Sequence, residues 1–137
     1  MKRFFATAAA ILVLGAPVAE AFTTAAQVKP ILNATKANWI AVREYDGNDL
    51  LYFTHIESWR CGLSGVRYGI NKEEADTDRE MEPCYEGEPA PNAFKLEGHL
   101  PFITLPLGSV EKVTIELLYD DGSTDTVTFE RAKVLMP

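Results

Sequence analysis

The sequence predicts a small, mainly β fold, an antiparallel β-sandwich or partly open barrel, with a small α+β fold as the alternative. Three observations carry this. Val113, Ile115, Leu117 and Tyr119 alternate with Thr114, Glu116, Leu118 and Asp120, and after Asp121-Gly122 the alternation resumes at Val127 and Phe129. That pattern is a hairpin with one face inward and one wet. Aromatic and β-branched runs over Trp39–Tyr45 and Asp49–Ile56 flank the turn signal Asp46-Gly47, as two adjacent strands do. Further short apolar runs lie between turn residues, and such strands pack face to face or close on themselves.

Taken in order, the chain begins with a basic Met1-Lys2-Arg3, a mostly apolar Phe4–Val18 and a small-residue box at Ala19-Glu20-Ala21. This is the layout of a secretory signal peptide, so residues 1–21 are read as a cleaved leader and residues 22–137 as one exported domain. The apolar run is interrupted at Thr7, Gly15 and Pro17, whereas a membrane anchor needs about 20 predominantly apolar residues. No membrane span is expected once the leader is removed.

Thr24-Ala25-Ala26-Gln27 fits a capping box, and a short helix through Ala37 is one reading. Pro30 argues against a long helix, so an extended arm with one helical turn over Val28–Asn38 is the other. Leu50 to Phe53 carry apolar side chains on both faces, which predicts a central strand covered on both sides. Gly65–Ile70, Phe94–Leu96 and Phe102–Leu105 are further strand candidates, the last fenced by Pro101 and Pro106.

Between Lys72 and Glu88 there are eight acidic residues, opposed locally only by Lys72 and Arg79. With prolines at 83, 89 and 91, this stretch reads as a surface loop. Cys61 and Cys84 lie in the exported part, where disulfides persist. One bridge between them would close a loop of about 22 residues and stabilise the fold by about 3 kcal/mol on the loop-entropy model.

The whole chain carries a net charge of −7. Without residues 1–21, 11 basic and 19 acidic side chains remain. An acidic chain without clustered Lys and Arg is a poor partner for nucleic acid or an anionic membrane.

Candidate chemistry is sparse. His55 and Glu57 sit two apart on an expected strand, so their side chains point the same way, and a carboxylate fixes an imidazole tautomer for base or metal chemistry. His99 is the other histidine. Ser58 and Ser64 lie nearby, but neither Gly-x-Ser-x-Gly nor Ser-x-x-Lys occurs, and a nucleophile needs a positioned base. The acidic loop and Asp120, Asp121 and Asp125 suggest calcium, without the spacing of an EF-hand. The sequence implies no cofactor and no defined metal site.

A richer cluster is Trp59-Arg60-Cys61 with Arg67-Tyr68 and Tyr85, which the Cys61–Cys84 bridge would gather into an aromatic and guanidinium patch of the kind that anchors interfaces. The competing reading places Trp59 in the core over the disulfide.

The runs Asn38–Arg43, Leu50–Thr54, Trp59–Gly62 and Met81–Glu86 resemble small exported proteins of alphaproteobacteria that carry no assigned activity. The resemblance spans most of the expected mature chain. It implies a periplasmic or secreted setting and supplies no catalytic or binding residue. The leading expectation is thus a non-enzymatic envelope module that binds another protein through Trp59, Arg60, Arg67, Tyr68 and Tyr85. The alternative is a metal-dependent or hydrolytic enzyme using His55 and Glu57. An exposed β edge would also pair two copies, so self-association stays open.

Overall fold

The computed structural model describes residues 21–137, so the expected leader lies almost wholly outside the described residues. The first element, α1 (Ala25–Ala34), starts where the capping box predicts: the Gln27 N–H donates to Thr24 Oγ1 (3.3 Å), and Gln27 Oε1 accepts from the Thr23 N–H (3.0 Å). The helix runs through Pro30, which decides for the short-helix reading over the extended arm. Ala26, whose carbonyl loses its i+4 partner there, and Pro30 itself are both on the exposed side, so the orphaned oxygen faces water. Ala25, Val28 and Leu32 form the buried stripe.

Two antiparallel sheets follow, and the fold is mainly β with no closed barrel. In the first, β2 (Asn48–Tyr52) lies between β1 (Ala41–Tyr45) and β5 (Phe102–Pro106). Asp46 and Gly47 join β1 to β2 with φ of 51° and 75°, the left-handed pair that a two-residue hairpin turn requires. The central position of β2 is the one its two apolar faces predict, but its outer face is covered only in part, with Leu50 buried and Tyr52 partly exposed. In the second sheet the order is β4 (Thr77–Asp78), β3 (Leu63–Ile70), β6 (Lys112–Tyr119), β7 (Thr124–Glu130). The β6–β7 hairpin has the expected register, with Val113, Ile115, Leu117 and Tyr119 buried.

Two strand assignments are corrected. The strand expected over Asp49–Ile56 stops at Tyr52, and Thr54–Glu57 forms a single helical turn, α2. The ladder ends because the Phe53 N–H reaches the Pro101 carbonyl (2.8 Å) while proline has no N–H to return. The Phe53 carbonyl accepts the Glu57 N–H instead (3.0 Å) and opens the turn. Phe94–Leu96 is not a strand either: the Lys95 N–H goes to the Glu82 carboxylate (2.6 Å), and so does that of Leu96 (3.4 Å).

One core holds the layers together, with Val28 and Leu32 from α1, Val42 and Leu51 from the first sheet, and Val66, Val113, Ile115 and Leu117 from the second. The approach of α1 to the turn before β3 depends on Gly62, where a Cβ would sit 2.3 Å from Val28 Cγ2. The chain closes with a short helix, α3 (Arg131–Val134), after which Leu135 bridges to Val42 in parallel and the Met136 N–H donates to the Val42 carbonyl (2.8 Å). That tail occupies the outer edge of β1.

Candidate functional site

The disulfide joins Cys61 to Cys84, with Cα atoms 5.0 Å apart. Around it the expected patch separates into structural parts. Arg60 is buried and donates to four main-chain carbonyls, those of Glu57 (3.1 Å), Pro83 (2.9 Å), Asn92 (2.7 Å) and Ala93 (2.7 Å). It therefore organises the loop from inside and presents no cation to a partner. Tyr85, brought to within 5.6 Å of that guanidinium, is half-buried and donates to Glu82, itself buried. The bond to Glu82 pushes the Tyr85 phenol up to about 12. Trp59 packs edge-on against Phe22 (5.1 Å). Arg67 and Tyr68 leave opposite faces of β3: Arg67 pairs with Asp78 in solvent (3.1 Å), and Tyr68 meets Phe53 (5.3 Å). The five residues do not form one surface.

His55 and Glu57 separate as well, because they lie on α2 and not on a strand. Two residues along a helix point to nearly opposite sides. Glu57 is buried against Arg79 (3.1 Å), and burial, opposed by Arg79, lifts its carboxyl to about 6. His55 faces the other way, with Nε2 2.8 Å from Thr35 Oγ1. The Thr35 hydroxyl gives its single proton to the Ile31 carbonyl (2.7 Å), so the imidazole is the donor in that contact. The neutral ring then carries its proton on Nε2 and keeps Nδ1 as an acceptor. Burial holds the His55 pKa below its ordinary value, which favours this neutral form. Ser58 Oγ donates back to the Thr54 carbonyl (2.7 Å).

His55 opens onto a groove of about 480 Å³, walled by Arg43, Tyr52, Thr54 and Met136 and backed by Trp39 and Ile40. Trp39 is fully buried and anchored by its indole N–H on the Leu32 carbonyl (2.9 Å). The groove continues onto the outer face of the first sheet. Val42 and Leu51 point into the core, so strand alternation sends Arg43, Tyr45 and Tyr52 outward. The β2–β5 register sets Phe102 opposite Tyr52, with rings 5.2 Å apart. Arg43 lies over the Tyr45 ring (4.4 Å), and no carboxylate among the described residues is within ion-pairing distance of it. Tyr45 is 54% exposed and Met136 46%.

No known protein family, curated protein or solved structure matches this chain. The site is accordingly read from its own geometry. Tyrosine, arginine and methionine around an apolar floor are the residue types enriched where proteins bind one another.

The acidic segments have other duties. Asp120 accepts the Ala25 N–H at the start of α1 (2.9 Å), and Asp121 and Asp125 pair with Lys29 and Lys36. In the loop, Glu73 pairs with Lys112, Asp76 with Lys72, Asp78 with Arg67 and Glu88 with Lys95, so cations offset half of its acidic side chains. Among the described residues no three His, Cys, Asp or Glu side chains gather as a metal site.

Sequence reasoning missed the face formed by Arg43, Tyr45, Tyr52 and Phe102. The alternation of Arg43 and Tyr45 was a readable signal. Their union with Phe102 depends on a strand pairing about fifty residues away, which no local pattern reveals.

Proposed function

We propose that this chain is an exported, non-enzymatic module of the bacterial envelope that binds another protein through the outer face of the β1–β2–β5 sheet. The observation that carries the reading is that two pairs, Arg43 with Tyr45 and Tyr52 with Phe102, lie on the same partly exposed face of the sheet, with Met136 beside Arg43 and Tyr52. The leader-like first 21 residues support export, and the Cys61–Cys84 bridge suits an oxidising compartment. No helix among the described residues is long and apolar enough to cross a membrane. The enzyme alternative needed His55 and Glu57 in one site, and they face separate environments.

The test is photo-crosslinking in the native host, with a photoreactive residue at Tyr45 or Phe102 and, as control, at Thr126 on the far sheet. A discrete protein adduct from the first two positions alone is expected. No adduct, or the same adducts from Thr126, overturns the assignment.

A further inference from the structure

We infer that the groove beside His55 is a binding site for a small apolar molecule carrying one carboxylate, with Arg43 as the cation that holds it. The inference rests on the reading of this face as a binding surface and names a second class of ligand for it.

The first argument is charge. The chain has more acids than bases, and its other described arginines are engaged: Arg60 by carbonyls, Arg67 by Asp78, Arg79 by Glu57, and Arg131 by Asp49 and Glu44. Arg43 has only the Tyr45 ring, which steadies the guanidinium without neutralising it. A planar guanidinium left with its N–H groups free beside an apolar wall is suited to a carboxylate, which it binds through paired hydrogen bonds.

The second argument is shape. A concavity of about 480 Å³ falls in the range occupied by small ligands, and Tyr52 and Met136 give it apolar walls, with the buried Trp39 and Ile40 behind them. The third is polarity. His55 is committed through Nε2 to Thr35, so the ring adds an acceptor at Nδ1 and no second cation. One anionic group is therefore matched, and a hydroxyl or amide N–H elsewhere on the ligand finds an acceptor.

A peptide strand is a poorer fit. The outer edge of β1 at Val42 is already taken by Leu135 and Met136, and the acid excess of the chain repels a segment with several negative charges.

The experiment follows backbone amide shifts of the disulfide-bonded protein by NMR while titrating indole-3-acetate, 4-phenylbutyrate and octanoate, each beside its primary amide. At least one acid is expected to saturate shifts at Trp39, Ile40, Arg43 and His55 and to bind about tenfold tighter than its amide. Arg43→Gln should remove that preference with the melting temperature unchanged, since Arg43 is exposed and its side chain makes no hydrogen bond among the described residues. No saturation by any acid up to about 10 mM, equal binding of acid and amide, or a preference that survives Arg43→Gln overturns the inference. The crosslinking readout is independent. An adduct at Tyr45 without acid preference removes the ligand site alone, and acid preference without an adduct removes the protein-binding reading alone.

Discussion

Asp49→Asn should cost this protein about 3 kcal/mol of stability at pH 7, the lower end for removing one partner of a buried ion pair. Asp49 is fully buried on the core side of β2. Its carboxylate accepts the N–H groups of Gly108 (3.0 Å) and Val110 (3.1 Å) and two bonds from Arg131 (2.6 and 3.0 Å). It thereby ties the central strand of one sheet to the segment before β6 and to the start of α3. An asparagine keeps the size but offers one acceptor oxygen and turns an N–H₂ toward donors. Arg131 would retain the Val110 carbonyl and Glu44, whose side chain is 56% exposed, which is why the lower end of the range applies.

Part of this cost is visible in acid. The Arg131 hydrogen bonds, joined by those from Gly108 and Val110 and opposed by burial, lower the Asp49 carboxyl from 3.8 to about 2. At about 1.4 kcal/mol for each tenfold change in proton affinity, that is on the order of 2 kcal/mol. A group whose pKa falls on folding contributes its stability above the unfolded value and loses it as pH drops through the folded one. The gap between wild type and Asp49→Asn should accordingly narrow by about 1 kcal/mol between pH 7 and pH 3. Urea unfolding followed by far-ultraviolet circular dichroism at both pH values measures it. A gap below about 1 kcal/mol at pH 7, or one that is unchanged at pH 3, would overturn this role for Asp49.

Two other predictions concern the polar interior and the bridge. Glu57 has the opposite sign: burial raises its carboxyl to about 6, so its contribution is most favourable below 4.5 and is lost as pH rises through about 6. His55, lowered by burial, works the other way over neighbouring pH, so the test is a difference between wild type and Glu57→Gln. The stability of wild type relative to Glu57→Gln should be higher at pH 5 than at pH 7 in urea unfolding, and a pH-independent difference would sink the assignment. Replacing both Cys61 and Cys84 by serine should lower the unfolding free energy by about 3 kcal/mol through the freed unfolded chain. Because Arg60 and Asn92 also hold this loop, native-state spectra should persist, and a variant that loses less than about 1 kcal/mol would show the bridge to be dispensable.

What was legible in the sequence is what local chemistry decides. The β6–β7 hairpin follows from two-residue alternation, the β1–β2 turn from Asp46-Gly47, the α1 start from Thr24 and Gln27, and the central place of β2 from consecutive apolar residues. The mainly β class and the cysteine pairing follow from the same kind of reading. The misses share another cause. At Pro30 the choice between helix and arm turns on whether that turn faces water, which only packing fixes. Phe94–Leu96 lost its ladder to a carboxylate twelve or more residues upstream, and the strand expected through Ile56 ended because Pro101, nearly fifty residues away, had no N–H to offer.

Local chemistry sets where most of the strands, turns and helix begin, because those depend on alternation, capping and φ preferences within a few residues. Only the tertiary structure decided that Arg60 serves carbonyls inside a loop, that Glu57 meets Arg79 and not His55, and that Arg43 is left free beside Tyr45. Which charges are buried, paired or exposed depends on segments distant in the chain meeting in space. Single-residue chemistry carries no record of that meeting until burial has set the cost of each unpaired group.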